Sequence, residues 1–128
     1  MSAHWARDLV GRSHTPARNC WWLVREGWRR RWGEVLPIVA VGDPAPSAEN
    51  YRAIRAAARQ AHATRQPVPR DGDVVVMAGM GRLHVGMACE TNGRLGVLES
   101  DHNAGVCWRP WREATAWAER VEVWGKPV

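Results

Sequence analysis

The four residues Thr91-Asn92-Gly93-Arg94 stand between two apolar-rich runs, Leu83 to Glu90 and Leu95 to Ser100. Asn-Gly tolerates positive φ at both central positions of a two-residue turn, the geometry whose twist matches a pair of antiparallel strands. The dipeptide therefore predicts a β-hairpin and fixes its register. Counting outward from the turn pairs Gly86 with Glu99 and His84 with Asp101, and puts both acids on the face that carries His84.

Around this hairpin the sequence predicts further short strands at Asp73 to Met77, Gly105 to Trp108 and Arg120 to Trp124. The N-terminal half reads differently. Asn19 is a good N-cap, Cys20 to Trp32 follows with helical periodicity, and Gly33 closes it. Cys20, Leu23, Val24, Gly27 and Trp28 recur at three- and four-residue steps and predict one buried face, with Arg25, Arg29 and Arg30 opposite. Ala3 to Val10 predicts a short helix stopped by Gly11, followed by a loop from Arg12 to Arg18 that carries His14 and Pro16. Val35 to Pro46 is punctuated by Pro and Gly and reads as extended. Ser47 then caps a second helix running to about His62, with Glu49 in its first turn. Tyr51, Ile54, Ala58 and Ala61 form its inward stripe and Arg52, Arg55 and Arg59 its outer side, before a polar connection from Thr64 to Gly72. Helices first and an antiparallel sheet afterwards predict an α+β fold. At 128 residues the chain is the size of a single domain, residues 1–128, around one core.

Composition narrows the function classes. A net charge of +5 and an isoelectric point near 10.1 favour anionic partners. No apolar run is long enough to span a bilayer, and His4, Trp5, Arg7 and Asp8 stand where a signal peptide would have its apolar core. The expectation is synthesis in the cytoplasm without a signal peptide, with export by assembly or lysis. Trp28-Arg29-Arg30-Arg31-Trp32 combines charge and rings, but no nucleic-acid motif accompanies it and it reads as a solvated helix face, so no specific nucleic-acid partner is expected. His84, Cys89, His102 and Cys107 do not make a zinc site: His84 and Cys89 leave opposite faces of one strand, and the gap is too wide for a zinc-finger pair. No metal and no cofactor are expected.

Three cysteines are an odd number, so at least one thiol is free. Cys20 falls in the first turn of the predicted helix, where unsatisfied N–H groups and the helix dipole stabilise a thiolate. The alternative is a small core residue, the usual fate of a free cysteine, and it is the reading for Cys89 and Cys107. His84 opens a strand, with Gly86 two residues on leaving room beside the imidazole.

Taken together these segments carry a resemblance. Asn19-Cys20-Trp21-Trp22-Leu23-Val24 resembles the Asp-Cys-x-Gly-Leu-Val nucleophile motif of the NlpC-type, papain-like cysteine peptidases. Arg70-Asp71-Gly72-Asp73-Val74-Val75 is similar to that family's Pro-Gly-Asp-Leu-Val turn, and Leu83-His84-Val85-Gly86-Met87 to its His-Val-Gly-Ile base strand. The three occur in the family's order and cover most of the chain from Asp8 to about Trp111. The Cys-Trp pair and the ending Gly105-Val106-Cys107-Trp108-Arg109-Pro110-Trp111 look most like the branch found in bacteriophage tail proteins.

The resemblance implies a papain-like fold, with the nucleophile at a helix N-terminus packed on a small sheet, and cleavage of amide bonds in peptidoglycan stem peptides. Cys20 would be the nucleophile and His84 the base. Glu99 is the first choice for the group that orients the imidazole, with Asp101 second and His102 third. His14, Asn19, Trp21 and Trp22 would shape the oxyanion and substrate pocket. The branch implies association with the virion tail and with other tail proteins. The sequence departs from the family at Asn19 (for Asp), Trp22 (for Gly), His14 (for Tyr) and Glu99 (for the usual orienting residue). A structural tail-tip component that keeps the hydrolase fold without activity is therefore the rival reading.

Overall fold

The computed structural model describes residues 4–16, 18–39 and 47–127. Helix α1 spans Cys20–Trp32 and is fixed at both ends by its own sequence. The Asn19 side chain accepts the Trp22 N–H at 3.0 Å, and Gly33, at φ 73°, turns the chain out of the helix. A side-chain N-cap of this kind stabilises a helix by about 1 kcal/mol. Trp21, Leu23, Val24, Gly27 and Trp28 are buried, so the inward face is as the periodicity predicts but broader by Trp21. Gly27 is there for contact: a Cβ would run into the Met87 thioether, with the Trp5 ring behind it. Ahead of α1, among the described residues only His4–Ala6 is helical, as one 3₁₀ turn followed by turns to Gly11, where a helix to Val10 is expected.

Helix α2 spans Ser47–Gln60. The capping role expected of the Ser47 side chain, and the segment 40–46 expected to be extended, lie outside the described residues. Ile54, Ala57 and Ala58 are buried, and the helix ends two residues before His62, which takes φ 59°. Two-residue strand β1, Thr64–Arg65, lies in what the sequence presented as a polar connection. It is too short to carry a periodic signal.

The remaining strands are β2 (Val74–Gly79), β3 (Arg82–Thr91), β4 (Arg94–Asp101), β5 (Gly105–Pro110) and β6 (Arg120–Gly125). A one-and-a-half-turn helix α3, Trp111–Thr115, connects the last two. The sheet is antiparallel throughout, in the order β1-β6-β2-β3-β4-β5. The chain is α+β, with helices ahead of a small antiparallel sheet. The Asn92-Gly93 turn forms as expected, with φ 51° and 76°, and pairs Thr91 with Arg94.

A second two-residue turn went unread in the sequence. Gly79 pairs with Arg82, so Met80 and Gly81 turn the chain with φ 54° and 69°. Methionine is a costly occupant of that region, which is why the composition of this turn gives no warning of it.

The sheet has apolar side chains on both faces. α1, α2 and the N-terminal turn cover one, over Val74, Val76, Val85, Met87, Cys89 and Leu98. The other packs Val75, Met77, Ala88 and Val97 against Ala114 of α3, Trp111 and Trp117. The outer edge of β5 is occupied as well: Gly11 N–H donates to Val106 O and Val106 N–H to Arg12 O, both at 2.8 Å. No helix of the described residues is long and apolar enough to cross a membrane.

Candidate active site

β3 and β4 are joined only part of the way. Their ladder runs from Thr91↔Arg94 to Met87↔Leu98, whereas β3 continues to Arg82 against β2, and β4 to Asp101 against β5. Beyond Met87 and Leu98 the sheet is held by its outer neighbours, and the N-terminus of α1 meets this parted end. The result is a cleft of about 1040 Å³, lined among others by His14, Asn19, Cys20, His84, Glu99 and Asp101.

The His84 imidazole stands between the Cys20 side chain and the Glu99 carboxylate, and pairs with the latter Nε2 to Oε1 at 3.2 Å. Burial alone pulls the imidazole pKa down. The hydrogen bonds and charge of Cys20 and Glu99 more than reverse this, raising it from 6.5 to about 9. The ring is thus held as imidazolium through neutral pH. Glu99 is 7 % exposed, and its Oε2 is buried with no hydrogen-bond partner among the described residues. A buried carboxylate with one oxygen on the imidazole is placed to orient that ring.

Gly86 makes the arrangement possible. A Cβ there would stand 2.7 Å from both Leu98 O and the Val97 Cγ1, and 3.5 Å from the Glu99 Cβ, so any other residue would push β4 away. The sequence reading gave this glycine the task of leaving space beside the imidazole. The space it leaves is taken by β4 itself.

Of the other two candidates for the orienting group, Asp101 is engaged elsewhere. Its Oδ1 accepts the N–H groups of Asn103 (2.7 Å) and Ala104 (3.0 Å), and its Oδ2 meets Arg109 at 3.3 Å. The Ala104 N–H leads in holding its pKa low, joined by that of Asn103 and by the charge of Arg109. Hairpin counting pointed Asp101 at His84. The parting of the strands, invisible to counting, frees it to close the β4–β5 turn instead. His102 stacks on His14, ring centroids 4.2 Å apart, at the cleft wall.

The expected pocket residues divide. Asn19 caps α1 and lines the cleft, and His14 lines it with Nδ1 2.8 Å from the Ser100 hydroxyl. Trp21 does not reach the cleft. One step along a helix turns a side chain by about 100°, and this carries it into the core, 3 % exposed, with its indole N–H on Pro37 O at 3.0 Å. Trp22 packs half-buried against the core, 5.7 Å from the Arg18 guanidinium, and is likewise no part of the lining.

The structure also adds residues. Ser100 is 1 % exposed and donates to Arg18 O at 3.1 Å, tying the loop before α1 to β4. Arg82, Arg109 and Trp117 line the cleft. Arg82 was within reach of the sequence, being two residues before His84 on one strand. Trp117 was not, because nothing local says that the segment after α3 returns to this wall.

Arg70-Asp71-Gly72-Asp73 is no part of the cleft lining. Asp71 accepts the Trp5 indole and the Glu90 N–H, Gly72 O accepts the Trp32 indole, and buried Asp73 accepts the Arg70 N–H. Burial raises the Asp73 pKa. The motif is a structural knot that starts β2. Cys89 is buried, which pushes its thiol up to about 11, as fits a core residue. All three cysteines are free. Among the described residues no group of three His, Cys, Asp or Glu gathers as a metal site. No protein-family model matches the chain, and no curated protein matches it.

Proposed function

We propose that this domain is a papain-like cysteine hydrolase of the NlpC type that cleaves amide bonds in peptidoglycan stem peptides, carried on a bacteriophage tail. The observation that carries the reading is His84 bridging Cys20, at the first turn of α1, and the buried carboxylate of Glu99 inside an open cleft. This is the arrangement a thiol nucleophile needs: sulfur at a helix N-terminus, a base beside it, and a third group to hold the base. The substrate class and the tail rest on the resemblance of the nucleophile, turn and base-strand motifs.

In this mechanism the Cys20 sulfur attacks the amide carbonyl. The developing oxyanion is stabilised by N–H groups at the start of α1, at about 3 kcal/mol per donor. The His84 imidazolium gives its proton to the leaving amine. The neutral ring then takes a proton from water, which hydrolyses the thioester and returns Cys20. Glu99 keeps the ring oriented and stabilises its charged form.

The rival, an inactive structural tail component, draws on the exposed apolar side chains Val35 and Ile38, at 74 % and 81 %. Incubation with purified peptidoglycan separates the two. The enzyme reading expects new amino groups to appear, and none from Cys20→Ala. Equal and negligible release by both proteins overturns it.

A further inference from the structure

Arg82 stands two residues before His84 on β3, so the two side chains leave the same face of the strand, about 7 Å apart along it. We propose that Arg82 selects the substrate: its guanidinium binds a carboxylate on the leaving side of the scissile amide, so the cleft takes peptides whose departing part is acidic. This rests on reading the cleft as a hydrolase site.

The charges lining the cleft are mostly spent on one another. Glu99 holds His84, while Asp101 holds its turn and Arg109. Arg109 also bonds the Cys107 side chain. Glu113 is exposed in the first turn of α3, where the backbone favours an acid. Arg82 is exposed and, among the described residues, has no ion pair. What it has is a ring: the guanidinium carbon lies 5.5 Å from the centroid of Trp117, also in the lining. An aromatic face orients a guanidinium without neutralising it, and leaves its planar fork for a carboxylate.

The backbone beneath this pair is fixed. A Cβ on Gly79, the residue paired with Arg82, would press on the main chain of Trp117 to Glu119, and Glu119 N–H donates to Ala78 O at 2.9 Å. The base of Arg82 and the segment bearing Trp117 are therefore one packed unit. The turn that leads into Arg82 holds Met80 at φ 54°, strain of the kind that persists where the surroundings over-determine a conformation. A guanidinium already held in place loses less freedom on binding.

The side of the cleft follows from the proton. His84 protonates the departing amine, so that part of the substrate lies along β3, and Arg82 is further along the same strand. An extended peptide advances about 3.3 Å per residue, which puts the recognised carboxylate about two residues beyond the cleaved bond.

The test uses the full chain with Cys20→Ala and two synthetic stem-peptide probes, identical except that the departing part carries a carboxylate or a carboxamide. Calorimetric titration is expected to give at least about tenfold tighter binding of the carboxylate probe. Arg82→Gln should abolish that difference, and Arg82→Lys should keep part of it. With Cys20 restored, the change in Arg82→Gln should fall on KM for the carboxylate probe more than on kcat. Equal binding of the two probes, no binding of either, or a preference that survives Arg82→Gln overturns the assignment. The parent reading fails separately. If the preference is found but the wild type cleaves neither probe, Arg82 stands and the hydrolase does not. If the wild type cleaves both alike, the hydrolase stands and Arg82 does not.

Discussion

The two ends of the β3–β4 pair solve opposite problems with the same two strands. At the turn end the strands are zipped from Thr91↔Arg94 to Met87↔Leu98, apolar side chains meet across the ladder, and Gly96 gives the Trp108 ring room to lie against the sheet. At the far end they part, and the space holds a histidine, a buried glutamate and a cysteine from α1. The zipped end gains stability from every pair it makes. The parted end gives up ladder pairs and buries charge, and it is held by β2 and β5 from outside and by the Ser100 tie to the loop before α1. Stability and the proposed chemistry are thus separated along one hairpin, a distance of a few residues.

The sharpest way to break this comparison is at the parted end. On the proposed function, Cys20→Ala is expected to lower the rate of peptidoglycan cleavage by roughly 10⁴-fold or more, while thermal unfolding moves little. A large loss of stability would mean that the parted end is structural after all.

Glu99→Gln is expected to cost about 10²- to 10³-fold in kcat, because the amide can still meet the ring but no longer stabilises its cation. The pH profile gives the sign. The proposed mechanism needs His84 protonated, so on that reading the wild type should decline on the alkaline side near the imidazole pKa of about 9. In Glu99→Gln that limb should move down toward 6.5, leaving the variant relatively worse at pH 8 than at pH 6. An unmoved limb would remove Glu99 from the site.

The zipped end should respond the other way. Gly96→Val places a side chain into the Trp108 ring and Arg109 O. We expect a destabilisation of about 3 kcal/mol in denaturant titrations, with kcat of the folded protein close to wild type. Asn92→Ala, which puts alanine at φ 51°, should cost about 1 kcal/mol and leave the pH profile alone. If either variant shifted the alkaline limb, the two ends would not be independent.

The zipped end is also the part that the sequence makes legible. Asn92-Gly93 names the turn, the alternation names the faces, and Asn19 and Gly33 name both ends of α1, because each signal is local. His84 and Glu99 on one face follow from the same counting. The parting of the strands does not, since it depends on β2 and β5 pulling from outside and on α1 entering from one side. For that reason counting sets Asp101 directly opposite His84 and keeps it as second choice behind Glu99. Trp21 was misplaced for a smaller reason: proximity to Cys20 in sequence is 100° of rotation in a helix. Met80 at the second tight turn defeats turn chemistry altogether, since methionine is not a residue that favours it.

The strand order has a consequence for how the molecule is made. β2 lies between β3, which follows it by two residues, and β6, the last of the strands to be synthesised. Until translation has passed Gly125, a nascent chain exposes the Val74–Gly79 edge with no second neighbour, on the ribosome or against a chaperone. The segment that brings Trp117 to the cleft is anchored through the same β2 end, at Ala78. The wall of the cleft and the closing of the sheet are therefore late and nearly simultaneous events. A chain interrupted before β6 would have Cys20 and His84 but no finished groove around them.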